Sequence, residues 1–296
     1  MRSGWQSSFI QKAEGMSMKL AVVTWTLGLS EPQALLAKAL ALGLDGIQYS
    51  GDHRDACPVD LREQARRAGI TILAVDPINA GPQHRADATQ DLAVDYYRKV
   101  IDFAAELGNV PVTLQGLSLW TRNCPDAASA YAQLLACCKV IDAYAQRRGV
   151  PTLYEPCNHF ELPLINTAQQ CRELIRAVGS DNLRMVLDSF HMNINEPDPV
   201  QTLRDCAPLT AIYHISDSGR GAIGTGHIDF AAQYQALVAN GFSGDVSIEL
   251  VLPHLLPGQP PGSESDCQAL DAQIRASARQ WRAYRPAAAQ AVTAGG

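Results

Sequence analysis

The chain has 296 residues, of which 47% are hydrophobic and 18% are charged, and its formal net charge is −6. A chain of this length can bury one large core or two of ordinary size. The acidic balance argues against a nucleic-acid-binding face, which is normally basic. No apolar run approaches the roughly 18 residues of a membrane-spanning helix. The sequence therefore indicates neither a nucleic acid nor a membrane as a partner.

The two ends of the chain and its cysteines are not expected to define the fold. Residues 1–17 lack the apolar segment and the cleavage site of a signal peptide. We predict a flexible extension over 1–17, a catalytic domain over 18–284 and a flexible tail over 285–296. The eight cysteines include no C-x-x-C pair. Without a secretory signal, we expect reduced thiols in a cytoplasmic protein.

Short apolar runs recur along the chain, and a segment with helical periodicity follows each of them. Little polar alternation interrupts these runs, as expected for strands that are covered on both faces. The predicted strands are 19–25 (KLAVVTW), 46–49 (GIQY), 70–76 (ITILAVD), 110–116 (VPVTLQG), 150–156 (VPTLYEP), 183–190 (LRMVLDSF), 209–215 (LTAIYHI) and 244–250 (GDVSIEL). Glycine is typical of helix ends, and the predicted helix-ending glycines are Gly43, Gly69, Gly108, Gly149, Gly179 and Gly241.

This alternation of strand and helix predicts parallel strands joined by right-handed crossovers. Eight such units in under 300 residues fit a closed (β/α)₈ barrel, the TIM barrel, better than an open sheet. An open nucleotide-binding sheet would carry a glycine-rich first turn, which the segment TLGLSEPQ after the first strand does not provide. We therefore predict a single TIM-barrel domain with its active site at the carboxyl ends of the strands.

The last four predicted strands each end in an acidic or imidazole side chain. Three carboxylates and one imidazole suit Mn²⁺, Mg²⁺ or Co²⁺, whereas a structural zinc site prefers Cys and His. The alternative is that each group pairs with an arginine or lysine from a neighbouring loop. Four such ends at one barrel rim favour a shared divalent metal ion over separate ion pairs. The four residues are Glu155, Asp188, His214 and Glu249.

Four segments resemble the signatures of a known superfamily. These segments are EPCNHFE, DSFHMN, HISDSGRGAIGTGHIDF and SIEL. They resemble the xylose isomerase-like barrels and, among these, the ketose 3-epimerase branch, which includes D-tagatose and D-psicose 3-epimerases. The resemblance extends from the first strand to the last, but its specific motifs lie between residues 155 and 249.

The resemblance also implies a role for each matching residue. Glu155, Asp188, His214 and Glu249 would bind one divalent ion, with Mn²⁺ the first choice and Co²⁺ or Mg²⁺ as alternatives. Glu155 and Glu249 would in addition form the acid–base pair. The implied substrate-binding residues are Glu161, His191 and Arg220.

The implied activity is a metal-dependent sugar epimerase that inverts C3 of a ketose. Two glutamates on opposite faces of the carbon would remove one proton and return another through an enediolate. Two rivals share the barrel and the metal set: an aldose–ketose isomerase, such as hydroxypyruvate isomerase, and a dehydratase or lyase that acts on keto-inositols or 3-keto-sugars. We expect a small-molecule sugar as the substrate and a homodimer or homotetramer as the assembly.

Two function classes are less consistent with the sequence. An abasic-site endonuclease on this barrel would need several metal ions and a basic groove. A non-catalytic sugar-binding barrel would be indicated by loss of one acid–base glutamate, and both are present. Weaker signals are a tight turn at 221–226 (GAIGTG), which is predicted to place His227 and Asp229 near the site, and three aromatic residues predicted at the floor of the sugar pocket: Trp25, Trp120 and Phe190.

Overall fold

A computed structural model describes residues 18–256 and 258–285. The extension predicted at 1–17, and all of the predicted tail except Arg285, lie outside the described residues. Eight parallel strands close into a barrel in which each strand pairs with the next and the last pairs with the first. This arrangement confirms the predicted single (β/α)₈ barrel. The strands are β1 (Leu20–Val23), β2 (Gly46–Tyr49), β3 (Thr71–Val75), β4 (Val112–Thr113), β5 (Thr152–Tyr154), β6 (Leu183–Asp188), β7 (Thr210–Ile215) and β8 (Asp245–Ile248).

At least one α-helix follows every strand before the next strand begins or the described chain ends. The six glycines predicted at helix ends all have positive φ angles, which glycine adopts without the steric penalty of a Cβ atom. The helices are α1 (Pro32–Ala41), α2 (Pro58–Ala68), α3 (Gln90–Gly108), α4 (Ala127–Arg148), α5 (Ala168–Val178), α6 (Ser189–Asn195), α7 (Pro199–Cys206), α8 (Phe230–Ala239) and α9 (Glu264–Ala283).

The apolar side chains form two layers. A small cluster consists only of residues on strands or adjoining strand positions, and it fills the inside of the barrel. A larger cluster packs the outer face of the strands against the helices. Leu153 and Val186 belong to the inner cluster, whereas the residues that follow them, Tyr154 and Leu187, belong to the outer one. Because side chains alternate along a strand, a residue two positions beyond an inner one also points inward.

Several strands end earlier than the sequence predicts. The segment Thr24–Leu27 forms a 3₁₀ helix directly after β1, and Gln115–Thr121 forms another shortly after the two-residue strand β4. At the end of β6, the carboxylate of Asp188 accepts hydrogen bonds from the backbone N–H groups of Phe190 and His191 and caps helix α6. These local turns shorten the strands but leave their order and direction as predicted.

All eight cysteines are free thiols, and five of them are buried. Across residues 18–256 and 258–285, no helix has both the length and the apolarity needed to cross a membrane.

Candidate active site

Four side chains converge at the barrel mouth, the open end of the barrel at the carboxyl ends of the strands. Asp188 is the last residue of β6 and His214 the last but one of β7, while Glu155 and Glu249 directly follow β5 and β8. One ligand atom from each lies within 4.8 Å of the others, and all four residues are buried. The structure therefore brings together the four residues predicted to hold a metal ion.

The imidazole of His214 lies at the centre of this cluster. Its Nδ1 is 3.3 Å from Glu155 Oε1, 3.7 Å from Asp188 Oδ2 and 3.1 Å from Glu249 Oε2. Its Nε2 lies 2.8 Å from the side-chain oxygen of Gln48. Because an amide oxygen only accepts hydrogen bonds, Nε2 carries a proton, and Nδ1 is the ring nitrogen that faces the carboxylates.

Two buried atoms of the cluster lack a partner. Neither Glu155 Oε1 nor His214 Nδ1 has a hydrogen-bond partner within the described ranges. Leaving a buried carboxylate oxygen without a partner is costly, so a further group is needed between these atoms. Carboxylate oxygens with one imidazole nitrogen form a hard donor set, and this set fits Mn²⁺, Mg²⁺ or Co²⁺. The residues present therefore fit the implied ion.

Arg220 provides part of the alternative considered from the sequence, in which the acidic groups pair with basic side chains. Its two terminal nitrogens donate to Asp188 Oδ2 and to Glu249 Oε2, each at 2.8 Å. The guanidinium also lies 4.7 Å from the centre of the Phe190 ring. These bonds satisfy two of the four groups but leave the unpartnered atoms of Glu155 and His214 unchanged, so pairing with Arg220 does not account for the whole cluster.

The turn that carries Arg220 is held by Asp217. Arg220 has φ +61°, a left-handed conformation that is rare outside glycine, and its backbone N–H donates to the carbonyl oxygen of Asp217. The Asp217 carboxylate accepts from the backbone of Gly224. At Gly226, an added Cβ would lie 2.3 Å from Asp217 Oδ1. The glycines of GAIGTG thus let the chain wrap around a carboxylate.

Three further residues predicted near the site, His227, Asp229 and Trp120, have partners of their own. The ring of His227 is bonded to Asn193 at 3.0 Å, and the Asp229 side chain caps helix α8. Trp120 is buried and donates its indole N–H to the carbonyl oxygen of Ala80. None of the three belongs to the four-residue cluster.

The residues predicted to contact a substrate lie beside the cluster, and Asn158 connects two of them. The side-chain amide nitrogen of Asn158 donates to Glu161 Oε1 at 3.0 Å and lies 2.8 Å from His191 Nδ1. Since the amide nitrogen is the donor, His191 Nδ1 accepts and the proton sits on Nε2. That Nε2 is 3.8 Å from Glu155 Oε1. His191 therefore presents a hydrogen-bond donor next to the cluster, and Glu161 lies farther out with a 35% exposed side chain.

The pKa values of the cluster separate the two glutamates. Burial raises the pKa of Glu155. Burial would also raise the pKa values of Asp188 and Glu249, but nearby positive charge, that of Arg220 above all, outweighs it and lowers both. Burial would lower the pKa of His214, but the charges of Glu155 and Glu249 hold it well above its usual value. Carboxylates whose pKa values are moved apart are typical of acid–base pairs.

Three polar residues on the β1–β3 side of the mouth were not among the predicted metal-binding or substrate-binding residues. Gln48 accepts a hydrogen bond from His214 Nε2, and Trp25 donates its indole N–H to Glu249 Oε1 at 2.8 Å. Asp76 directly follows β3. Trp25 was predicted only as a pocket floor. The sequence signal for Asp76 was its place as the acidic last residue of the predicted strand 70–76.

Comparison with known proteins finds ketose 3-epimerases among the relatives of this chain. The L-ribulose 3-epimerase of Mesorhizobium japonicum is 33% identical over 230 residues, which cover 74% of this chain and 75% of the relative. The D-psicose 3-epimerase of Agrobacterium fabrum is 28% identical over 243 residues, covering 77% of this chain and 81% of the relative. Both names describe epimerases, a class of isomerases.

Structural comparison agrees with the sequence matches. A solved L-ribulose 3-epimerase superimposes with a TM-score of 0.75 and 25% identity, covering 95% of this chain and 99% of the other. Residues 36–280 match the family described as xylose isomerase-like TIM barrel. The barrel fold, the cluster at its mouth and this match together show that the chain belongs to the xylose isomerase-like TIM barrel family.

Proposed function

We propose that the protein is a divalent-metal-dependent isomerase that inverts C3 of a ketose. The observation that carries this proposal is the convergence of Glu155, Asp188, His214 and Glu249, with a carboxylate oxygen and an imidazole nitrogen left unpartnered inside a buried cluster. The names of the relatives support the choice of a ketose and of C3.

The same four residues would hold the ion, with Mn²⁺ expected and Co²⁺ or Mg²⁺ as alternatives. When bound, the ion would act as a Lewis acid that stabilises negative charge on the ketone oxygen. Gln48 accepts from His214 Nε2 and so fixes the ring orientation that presents Nδ1. Such supporting bonds are a regular feature of metal-binding histidines.

Glu155 and Glu249 are the proposed acid–base pair. Removal of the proton on C3 by one glutamate gives an enediolate, and the other returns a proton to the opposite face. Burial raises the pKa of Glu155 toward the range of a working base. The Glu249 carboxylate is oriented on both oxygens, by Trp25 on Oε1 and by Arg220 on Oε2.

Glu161, His191 and Arg220 are the proposed substrate-binding residues. His191 Nε2–H donates into the space beside Glu155, and Glu161 offers a carboxylate for sugar hydroxyls. The Nε of Arg220 is buried without a partner, which leaves one donor of the guanidinium for a ligand. These three groups would bind and orient the end of the sugar that carries the ketone.

Two rivals begin with the same proton removal. An aldose–ketose isomerase returns the proton to the neighbouring carbon, and a dehydratase or lyase loses a hydroxyl or breaks a bond instead. No contact at the mouth specifically favours either rival, whereas the names of the relatives favour the epimerase.

The test is to incubate the Mn²⁺-loaded protein with a panel of ketoses and 3-keto-sugars in D₂O and to follow the products by NMR. An epimer with deuterium at C3 supports the proposal. An aldose would assign the isomerase, and an unsaturated product would assign the dehydratase or lyase. Glu106→Gln changes an exposed glutamate on α3 and is the matched control for Glu155→Gln.

The compartment and the assembly remain predictions. We propose a cytoplasmic enzyme, because eight unpaired cysteines suit a reducing compartment. We further propose a homodimer or homotetramer acting on a small-molecule sugar. Light scattering coupled to size-exclusion chromatography measures the assembly directly, and a mass of one chain would contradict it.

A further inference from the structure

Asp76 is an acidic residue at the barrel mouth that the proposed mechanism does not use. Its backbone N–H donates to the carbonyl oxygen of Tyr49, so it continues the pairing of β3 with β2 beyond the strand end. It follows the inner residue Ala74 by two positions, and alternation directs its side chain into the mouth. Burial raises the pKa of Asp76, while the hydrogen bonds from Thr113 and Gln115 favour its ionised form.

Only one of its two carboxylate oxygens is used. Thr113 Oγ1 donates to Asp76 Oδ1 at 2.5 Å, and the amide nitrogen of Gln115 donates to the same atom at 2.9 Å. Oδ2 has no hydrogen bond within residues 18–256 and 258–285, and no lysine or arginine there forms an ion pair with Asp76. The carboxylate is therefore fixed in orientation, and one oxygen is left for a ligand.

Two buried structural carboxylates of this chain, those of Asp142 and Asp217, are bonded on both oxygens. In Asp142, Oδ1 accepts from Thr152 and Asn182, and Oδ2 accepts from Gln146. Asp217 likewise uses both oxygens to hold its turn. Asp76 differs from both in leaving one oxygen unused. The nearby Gln115 Oε1 is also buried without a partner, which adds a second unused acceptor beside it.

We propose that Asp76, oriented by Thr113 and Gln115, is a specificity-determining residue that accepts a hydrogen bond from one hydroxyl of the ketose beyond its reacting carbons. Strands β3 and β4 carry none of the four potential metal ligands, so we place the hydroxyl on a part of the sugar beyond the atoms nearest the ion. An ionised carboxylate accepts hydrogen bonds and cannot donate them, so it would favour a sugar with a hydroxyl group that donates to it. This inference rests on the proposed function for the identity of the ligand as a ketose.

The test pairs a protein change with a substrate change. A ketohexose and its 4-, 5- and 6-deoxy analogues are assayed for kcat/KM and, independently, for Kd by calorimetry with the Mn²⁺-loaded protein. The wild-type protein should discriminate against one of the analogues by roughly 10- to 100-fold, because a hydrogen bond to a charged group is lost. In Asp76→Leu, that discrimination should fall to within a few fold while the other analogues keep their wild-type ratios.

Two more variants make the result interpretable. Asp76→Asn keeps an oxygen for Thr113 and Gln115 but replaces the free acceptor by an NH₂ group, so it should also lose the discrimination. This variant provides the test if the leucine variant does not fold. Asp181→Asn alters an exposed aspartate and should keep every wild-type ratio. A structural role for Asp76 predicts instead that all four sugars lose activity equally, and that outcome overturns the inference.

The outcomes separate this inference from the proposed function. A protein that epimerises ketoses but shows uniform losses in the Asp76 variants overturns the role of Asp76 alone. If the protein binds ketoses, and the Asp76 variants lose discrimination against one deoxy analogue only, but no epimer forms, the role of Asp76 is supported and the epimerase is overturned. A protein that binds no ketose at all overturns both.

Discussion

The two halves of the barrel mouth differ in what their strands contribute. Strands β5 to β8 supply the four potential metal ligands, three of them acidic. The residues at the ends of β1 and β2 contact those ligands without joining the set: Trp25 bonds to Glu249, and Gln48 bonds to His214. One half of the mouth thus offers the donor atoms, and the other half fixes the orientation of two of them.

Substitutions in the two halves of the mouth should therefore differ in the size of their effect on metal binding and turnover. A change among the four ligands removes a donor or a proton carrier outright. A change in the supporting half leaves every ligand in place and alters only its orientation or hydrogen bonding, which typically has a smaller effect. The following substitutions test that difference, in order of decreasing expected effect.

The largest effect on turnover is expected from Glu249→Gln in the ligand half. The amide cannot carry the proton that the mechanism requires, so kcat should fall by about 10³-fold or more. Metal affinity should fall less than in the double variant Asp188→Asn/His214→Asn, because only one of the four ligands is changed. Product formation followed by NMR and Mn²⁺ competition titration measure the two quantities. Wild-type turnover in Glu249→Gln would remove this residue from the mechanism.

In the supporting half, Gln48→Leu should weaken metal binding without changing any ligand. Loss of the acceptor for His214 Nε2 frees the ring to rotate or change tautomer, and such changes typically reduce metal affinity by about 10- to 100-fold. Titration with Mn²⁺ followed by electron paramagnetic resonance measures this affinity.

Gln48→Glu is the matched variant for this position, because it keeps an oxygen facing His214. Its metal affinity should stay within a few fold of the wild-type value. Equal losses in the leucine and glutamate variants would show that the buried site tolerates no change, and the claimed orienting role of Gln48 would then be wrong.

The smallest effect is expected from Trp25→Phe, which keeps an aromatic ring but removes the N–H that Glu249 Oε1 accepts. Loss of one hydrogen bond to a charged group should lower kcat by about tenfold. The metal affinity should change little, because Glu249 keeps its bond to Arg220. A loss as large as that of Glu249→Gln would contradict the division between the two halves.

The ligand half could be predicted from sequence because its signal is simple. Glu155, Asp188, His214 and Glu249 each interrupt or end an apolar strand, and a charged group there needs a partner. The barrel then brings consecutive strand ends to the same rim. Even so, Glu155 and Glu249 follow their strands rather than ending them, a difference too small to change which way their side chains point.

The supporting half was harder to predict because its strands are apolar on both faces. In GIQY, the apolar residues do not reveal which alternate positions face the inside, so Gln48 did not stand out. Asp76 ends the predicted strand ITILAVD, so the signal that identified the four ligands applies to it as well. Strand β4 has only two residues, and a 3₁₀ helix follows it. These features depend on the register between strands, which local sequence patterns do not determine.

Arg220 illustrates a different limit. Resemblance to the epimerases implied that it contacts the substrate, but no sequence pattern indicated its bonds to Asp188 and Glu249. Those bonds depend on a turn with a positive φ angle at a non-glycine residue, held by the Asp217 carboxylate. Sequence spacing alone cannot predict such a turn, because glycine-rich segments allow many conformations.

The most direct test of the account is a Mn²⁺ titration of the metal-free protein, followed by calorimetry or electron paramagnetic resonance. We predict one ion bound per chain in the wild-type protein and none at the same concentrations in Asp188→Asn/His214→Asn, with His84→Asn, which changes an exposed loop residue, behaving as wild type. A wild-type protein that binds no divalent ion, or a double variant that still binds one per chain, would contradict the claim that these four side chains form a shared metal site.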